Sequence, residues 1–164
     1  MSRVTANKNF LAPSGFKVII DRKNYGNLEY TVQVATHGSV SLDTSELQFP
    51  RTSVKEPGDV LNYGDVTFEM ILEEDLDNYK EIHQWLRRLV QEKPKSVAER
   101  EASIPNVLDI SLMVLSSKNN ITNKIIYRDA FPIDLGVISF DSAVDGVNYV
   151  TVPVTFAYSY FDIV

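Results

Sequence analysis

The sequence predicts a mainly β protein, an antiparallel sandwich or barrel of about six or more strands with one flanking α-helix. Apolar and polar residues alternate in several short segments, most clearly in residues 149–161, as in strands that bury one face. Only residues 76–91 show the spacing of a long amphipathic helix. With 164 residues, 44% of them hydrophobic, the chain is expected to form one domain, 1–164, with a packed core.

The final strand is the one against which the others are expected to pack. Its apolar side comprises Val150, Val152, Val154, Phe156, Tyr158 and Tyr160. The other side includes Thr151, Thr155 and Ser159, which is ordinarily a solvated sheet face. A second interpretation is that this side faces a lumen, and periodicity alone does not separate the two.

The chain begins with a polar segment, residues 1–13, which ends in a turn signal. We expect an arm that needs something outside its own domain to hold it. Alternation then predicts strands over residues 16–21 and 29–35, joined as a hairpin.

Residues 43–59 are predicted to form a long loop, because alternation is weak and Pro50, Pro57 and Gly58 interrupt regular structure. A connection of this length is uncommon in a compact domain and is usually functional. Its exposed apolar residues would need a partner.

The rest of the chain gives clearer signals. A strand over residues 66–72 precedes the helix, whose apolar stripe, with Trp85 near its centre, is expected to pack on the core of the same chain. Further strands are predicted over residues 107–115, 123–128 and 136–140. Phe131-Pro132 is expected to break the sheet, and Asp145-Gly146 is a hairpin signal before the final strand.

Composition and charge exclude several classes of protein. The chain has no cysteine and no apolar run near the roughly 20 residues of a membrane span, so we expect a soluble protein made inside the cell. A net charge of −6 disfavours a protein that grips nucleic-acid phosphates, because that binding depends on Lys and Arg. It does not exclude a protein past which nucleic acid slides without binding.

No catalytic or cofactor-binding pattern is present in the sequence. His37 and His83 have no second histidine or cysteine at metal-ligand spacing, and residues 73–75 are interpreted as the acidic start of the helix. Phosphate-loop and nucleophile-elbow motifs are missing. We therefore expect no enzyme, cofactor or metal, unless a structure places a histidine beside a carboxylate in a pocket.

Three segments show a more specific pattern. They are AFPIDLGVISFD at residues 130–141, YVTVPVTFAY at 149–158, and VTFEMILEED at 66–75 followed by the helix with Trp85. These segments resemble the tail tube proteins of contractile-tailed bacteriophages related to T4. The likeness covers roughly residues 16–164 in the order of elements, whereas residues 1–13 and 43–59 match least.

The resemblance implies a structural subunit of a hexameric ring. Subunits of such a ring contribute strands to a continuous inner barrel, the helix lies outside, and rings stack into a tube through which DNA leaves the capsid. The implied partners are further copies of the chain, sheath and baseplate proteins and transiently passing DNA, with no membrane. The implied location is a virion tail assembled in the host cytoplasm.

The resemblance also implies where contacts lie. The loop is expected to contact the next ring through Leu42, Leu47, Phe49, Pro50 and Arg51. The arm is expected to contact a neighbouring subunit through Phe10 and Leu11, and the lumen to be lined by Thr151, Thr155 and Ser159.

Other functions stay open. The chain could form a baseplate ring that initiates the tube, a terminator ring, or the tube of a related contractile injection system. From a different class, it could be a monomeric or dimeric binding module that holds one partner with residues 43–59. A small species at high concentration would count against every tube interpretation.

Overall fold

The structure, a computed structural model, describes residues 10–21, 23–91, 105–141 and 149–164. Its elements are β1 (Phe16–Ile19), α1 (Leu28–Thr31), β2 (Val32–Thr36), β3 (Val40–Phe49), β4 (Thr52–Tyr63), β5 (Val66–Ile71), α2 (Asp77–Gln91), β6 (Leu108–Leu115), β7 (Ile121–Leu135), β8 (Thr151–Ala157) and β9 (Tyr160–Ile163). The pairs between these strands are antiparallel. The predicted fold class is confirmed.

Seven strands form one sheet in the order β1-β6-β7-β8-β5-β2, with β9 also paired to β7. The 15-residue β7 pairs with β6 and β9 along its first part and with β8 along residues 131–135. Between these parts Asp129 has a left-handed φ of 53°, and the register shifts between Pro132 and Asp134. β7 therefore joins a first layer (β1, β6, β9) to a second layer (β8, β5, β2).

The core lies between these layers and α2. Its buried side chains on β5, β8 and α2 are Val66, Phe68, Met70, Val152, Val154, Phe156, Ile82 and Trp85. Trp85 stacks on Tyr25 with ring centroids 4.7 Å apart and donates a hydrogen bond to the carbonyl oxygen of Asn106 at 2.9 Å. The predicted helix stripe is confirmed here, although Val90 at its end is 78% exposed.

The predicted hairpin between residues 16–21 and 29–35 is wrong. β1 pairs with β6, and β2 pairs with β5. Residues 28–31 form a helical turn that buries Leu28 while the chain passes from the first layer to the second. Local alternation could not show this crossing, because it depends on packing between layers.

Three predictions for the last part of the chain also differ from the structure. β7 continues through Phe131-Pro132, where the buried Pro132 pairs with Phe156 next to the register shift, and residues 136–140 are not in a strand. The predicted final strand is divided into β8 and β9. Between them the N–H of Ser159 donates to the carbonyl oxygen of Arg128 at 3.0 Å, and β9 pairs with an earlier part of β7 than β8 does. The signal at Asp145-Gly146 lies outside the described residues.

Candidate assembly surfaces

β3 and β4 form a two-stranded sheet of their own, the hairpin. The prediction of a loop at residues 43–59 is therefore wrong. Pro50 lies in the turn, and Pro57 lies opposite Thr44 beside a register shift, positions at which a missing N–H is tolerated. Every residue of β3 is exposed, so no core imposes the alternation by which strands are recognised.

The outer half of the hairpin has one apolar face and one polar face. Leu47 lies opposite Val54, and Phe49 lies opposite Thr52, so these side chains share one face. We call Leu47, Phe49 and Val54 the apolar tip face; they are 44%, 55% and 45% exposed. The other face includes the ion pair between Glu46 and Lys55, at 3.7 Å.

The structure separates the residues predicted to contact the next ring. Leu47 and Phe49 belong to the apolar tip face, and Pro50 and Arg51 form the exposed turn beside it. Leu42 lies near the base of the hairpin, opposite Leu61. A two-stranded hairpin is at best marginally stable in water without further packing, and exposed apolar side chains of this kind mark interaction surfaces.

The hairpin is attached through residues 37–39 and 64–65, which we call the joint. The N–H of Gly64 donates to the carbonyl oxygen of Ser39 at 2.7 Å. A Cβ on Gly38 would lie 2.0 Å from the carbonyl oxygen of Gly64, so the two segments approach more closely than any side chain at residue 38 allows. These contacts hold the two segments of the joint, and with them the two strands at the base of the hairpin, close together.

Aromatic rings surround the joint. The His37 ring lies 4.8 Å from Phe161, the Tyr63 ring lies 5.6 Å from Phe161, and Tyr127 and Tyr158 complete the group. His37 Nδ1 lies 2.8 Å from the hydroxyl oxygen of the buried Tyr127. Partial desolvation lowers the pKa of His37, whose side chain is still exposed on one side, and burial raises the pKa of Tyr127. This cluster has the character of a packing contact.

The two histidines lie in different parts of the structure, His37 at the joint and His83 on α2. His37 contacts the rings of Tyr127 and Phe161, and His83 is exposed on α2 and stacks on Tyr79 with ring centroids 6.5 Å apart. In the part of the chain that the structure describes, no group of three or more His, Asp or Glu side chains could hold a metal ion.

The threonines predicted to face a lumen lie on the outward face of the second layer. Thr155 lies opposite Thr67, with 3.2 Å between their hydroxyl oxygens, and Thr151 lies opposite Ile71. Ser159 lies apart, between β8 and β9. The same face includes two exposed carboxylates that the sequence did not single out, Glu69 opposite Pro153 and Asp134 opposite Thr155.

The second layer contains no basic residue. The segments that form it, β2, β5, β8 and residues 131–135, include neither Lys nor Arg. Its outward face is therefore uncharged or negative at every position. Strand register, available only from the structure, was needed to bring these residues together.

The described end of the predicted arm is exposed. Phe10 and Leu11 are 96% and 67% exposed, and both lie beside a surface groove at the end of β6 and the start of β7. Residues 1–9, which make up the rest of the arm, lie outside the described residues.

Among the described helices, none combines the length and apolar character needed to cross a membrane.

Comparison with known proteins identifies the fold through solved structures. No family model and no curated protein matches the sequence. A chain of the anti-feeding prophage cap, described as the AFP tube terminating cap, matches with a TM-score of 0.70 at 15% identity, over 99% of this chain and 98% of that chain. This chain has the tube fold.

Two further structures support the same conclusion. A chain of the PVC sheath-tube complex of an extracellular contractile injection system, in the extended state, matches with a TM-score of 0.66 at 15% identity, over 93% of this chain and 90% of that chain. A chain of the anti-feeding prophage baseplate matches with a TM-score of 0.62 at 13% identity, over 100% and 97%. The predicted tube fold is confirmed, and identities this low establish the fold alone.

Proposed function

We propose that this chain is a non-enzymatic structural subunit of the tube of a contractile tail or contractile injection system, in which copies form stacked hexameric rings. The hairpin is the observation that supports this proposal most directly. It is a long, fully formed element whose apolar tip face has no core to pack against among the described residues. An exposed apolar face of this kind needs a partner, and an assembly of copies would supply the missing packing.

The proposed stacking contact is head to tail. The hairpin protrudes where β2 ends and β5 begins, so each subunit would extend it toward the next ring through Leu47, Phe49, Pro50 and Arg51, with Leu42 at its base. A head-to-tail contact continues indefinitely unless another component stops it. Each contact is small, but all copies in a ring make it at the same time, so contacts that are weak singly are sufficient to hold two rings together.

The proposed lumen surface is the outward face of the second layer. Thr151 and Thr155, with the carboxylates of Glu69 and Asp134, would present hydroxyl groups and negative charge to passing cargo, and Ser159 would lie at the edge of this surface. Phosphates are repelled by such a surface because it offers no Lys or Arg. In a bacteriophage tail, the lumen would conduct DNA during ejection.

The remaining contacts complete the proposal. Phe10 and Leu11 would hold the arm on a neighbouring subunit of the same ring, because both side chains are exposed. Sheath and baseplate proteins would be the other partners. The protein would be located in the tail of a virion or injection particle and would assemble in the host cytoplasm.

Negative-stain microscopy of the purified protein tests this proposal. We expect rings or stacked tubes from the native chain and rings without stacks from a Leu47→Ser/Phe49→Ser variant. The matched control is Thr44→Ser/Gln48→Ser, which changes the opposite face of the same strand and should stack normally. Monomers at high concentration would contradict the proposal, and normal tubes from the first variant would contradict the role of the hairpin.

A ring that terminates or initiates the tube is a second candidate. What supports it is that the fold is shared over nearly the whole chain with a chain of the AFP tube terminating cap and with a chain of the AFP baseplate, as well as with a chain of the sheath-tube complex. The same micrographs distinguish the two: a main tube subunit forms long stacks by itself, whereas a terminal subunit stops at one or two rings. A terminating subunit, mixed with a separately purified tube subunit, would then stop the growth of the tubes that this second protein forms.

A further inference from the structure

A surface groove lies at one end of the first layer, where β6 ends, β7 begins and β9 ends. Its volume is about 440 Å³, within the range of roughly 300–1,000 Å³ of pockets that hold a ligand. The polar side chains around it are serine, threonine and asparagine, so none of them carries a charge. Its apolar lining comprises Phe10, Leu11, Val114, Leu115, Ile125 and Ile163. This lining favours an uncharged, apolar occupant.

Residues 10–15, which we call the arm segment, reach the groove through a turn that is fixed to β6. The N–H of Gly15 donates to the carbonyl oxygen of Ala12 at 3.0 Å, and the N–H of Leu115 donates to the carbonyl oxygen of Gly15 at 2.8 Å. A Cβ on Gly15 would lie 2.8 Å from the carbonyl oxygen of Leu115, so no side chain fits there without a shift of the backbone. The turn is therefore a fixed point, and Phe10 and Leu11 lie beside the groove just before it.

The arm segment does not fill the groove of its own chain. Phe10 and Leu11 both line the groove, yet they are 96% and 67% exposed. Removing large apolar side chains from water is favourable in proportion to the area that is buried. One chain thus presents both an open apolar groove and an apolar pair of side chains that would gain by entering a groove of this kind.

We propose that Phe10 and Leu11 are exchanged between neighbouring copies of a ring, so that the pair of each copy is buried in the groove of the next copy. The proposal rests on the proposed function, in which the arm contacts a neighbouring subunit, and it assigns the receiving site. Every copy has the same groove and the same pair, so a contact that lies within one chain also forms between two chains, which is a low-cost route to an oligomer. In a closed ring each copy gives one pair and receives one.

The position of the pair and the character of the groove favour a second copy over a different partner. The pair already lies beside the groove, so within a ring its local concentration is far above that of a free partner. The groove has no charged side chain with which to recognise an ionic ligand. Two side chains bury much less than the roughly 1,000 Å² of a stable independent interface. The exchange therefore strengthens a ring that other contacts also hold, and does not by itself form dimers.

Cysteine cross-linking tests the exchange, because the native chain has no cysteine. Leu11 and Ser117 both line the groove, and we expect a short bismaleimide to link Leu11→Cys to Ser117→Cys. In dilute, unassembled subunits the link should lie within one chain, and in assembled rings it should join chains into a ladder that ends at the hexamer. The matched control, Leu11→Cys/Gln84→Cys, should give neither product. Gln84 is exposed on α2 beside Trp85, whose indole contacts Asn106 near the other end of β6.

Each result has a defined meaning. Rings in which the link between residues 11 and 117 stays within one chain, or in which no link forms, would overturn the exchange and leave the tube proposal intact. Equal ladders from the test variant and the control variant would overturn the receiving site. Absence of rings from the native chain would overturn both the exchange and the proposed function.

A second pair of variants tests the exchange without cysteines. Phe10→Ser should leave the fold of the subunit unchanged, because the side chain is exposed. It should raise the protein concentration needed for ring formation by about tenfold or more, because it removes an aromatic side chain that only the assembly buries. Phe10→Leu is the matched control and should assemble at close to the native concentration. Sedimentation velocity measures both, and equal assembly of Phe10→Ser and the native chain would contradict the exchange.

Discussion

The helix α2 and the hairpin β3–β4 each have an apolar face, and the two differ in what covers it. The helix has an apolar stripe that its own chain covers, so that Trp85 and Ile82 are almost completely buried. The hairpin has an apolar face of similar character, yet Leu47 and Phe49 remain about half exposed. The comparison shows that a folded element can be complete in its hydrogen bonds and incomplete in its packing. Among the described residues nothing covers the apolar tip face, and the proposed assembly would supply the missing layer.

The largest effect is expected in the helix. Trp85→Ala removes a fully buried ring that stacks on Tyr25 and donates a hydrogen bond to Asn106, and should lower the free energy of unfolding by about 3–5 kcal/mol. Val90→Ala, on the exposed end of the same helix, should change it by less than about 0.5 kcal/mol. Urea denaturation followed by circular dichroism measures both. A loss below about 1 kcal/mol for Trp85→Ala would place this helix face outside the subunit core.

The joint that connects the hairpin to β2 and β5 should give the next largest effect. A Cβ at Gly38 would lie 2.0 Å from the carbonyl oxygen of Gly64, so Gly38→Ala must displace backbone and should cost about 1–3 kcal/mol. Ser39→Ala, one residue away, keeps the backbone contact and serves as the control. Equal stabilities in the same denaturation experiment would mean that the two segments are not held together as described.

A smaller effect on stability is expected in the hairpin itself. Leu47→Ser/Phe49→Ser should alter the free energy of unfolding of the isolated subunit by less than about 1 kcal/mol, because both side chains are already exposed. Its effect on assembly should be large. A loss of several kcal/mol in the isolated subunit would show instead that the tip packs on its own chain.

The smallest effect concerns the pH dependence at the joint. Burial lowers the pKa of His37 below its ordinary value of 6.5, so the folded subunit binds fewer protons there than the unfolded chain. The resulting stability is present above pH 6.5 and is lost as the pH falls through this value toward the lower folded pKa. His37→Gln should make the free energy of unfolding fall less steeply as the pH is lowered from about 7.5 to about 5. Parallel curves for the two proteins would show that the His37 ring is not desolvated by folding.

Periodicity predicted the parts of the fold that are buried within one chain. The stripe of α2 and the alternation around Val154 record the packing of this subunit, and both were found from the sequence. The hairpin was missed because every residue of β3 is exposed, so that no burial among the described residues imposes the alternation by which strands are recognised. A usable signal was present: Phe49 and Thr52 flank a two-residue turn, with Leu47 and Val54 next in alternation.

The candidate surfaces were predicted only in part. Leu47 and Phe49 were selected because they are apolar in a segment without a core, but the sequence could not show that they share a face with Val54. The groove could not be found at all, because residues as distant as Leu11, Val114 and Ile163 form it. The end of β8 was also missed, since the hydrogen bond from Ser159 to Arg128 joins residues far apart in sequence.

Amide hydrogen exchange of β3 and β4, before and after assembly, tests most directly whether the hairpin gains its missing packing from another subunit. In unassembled subunits these amides should exchange rapidly while those of β5 and β8 are protected, because a bare two-stranded sheet opens easily. In assembled tubes the hairpin amides should become protected as well. Equal protection of the hairpin in both states would contradict the account.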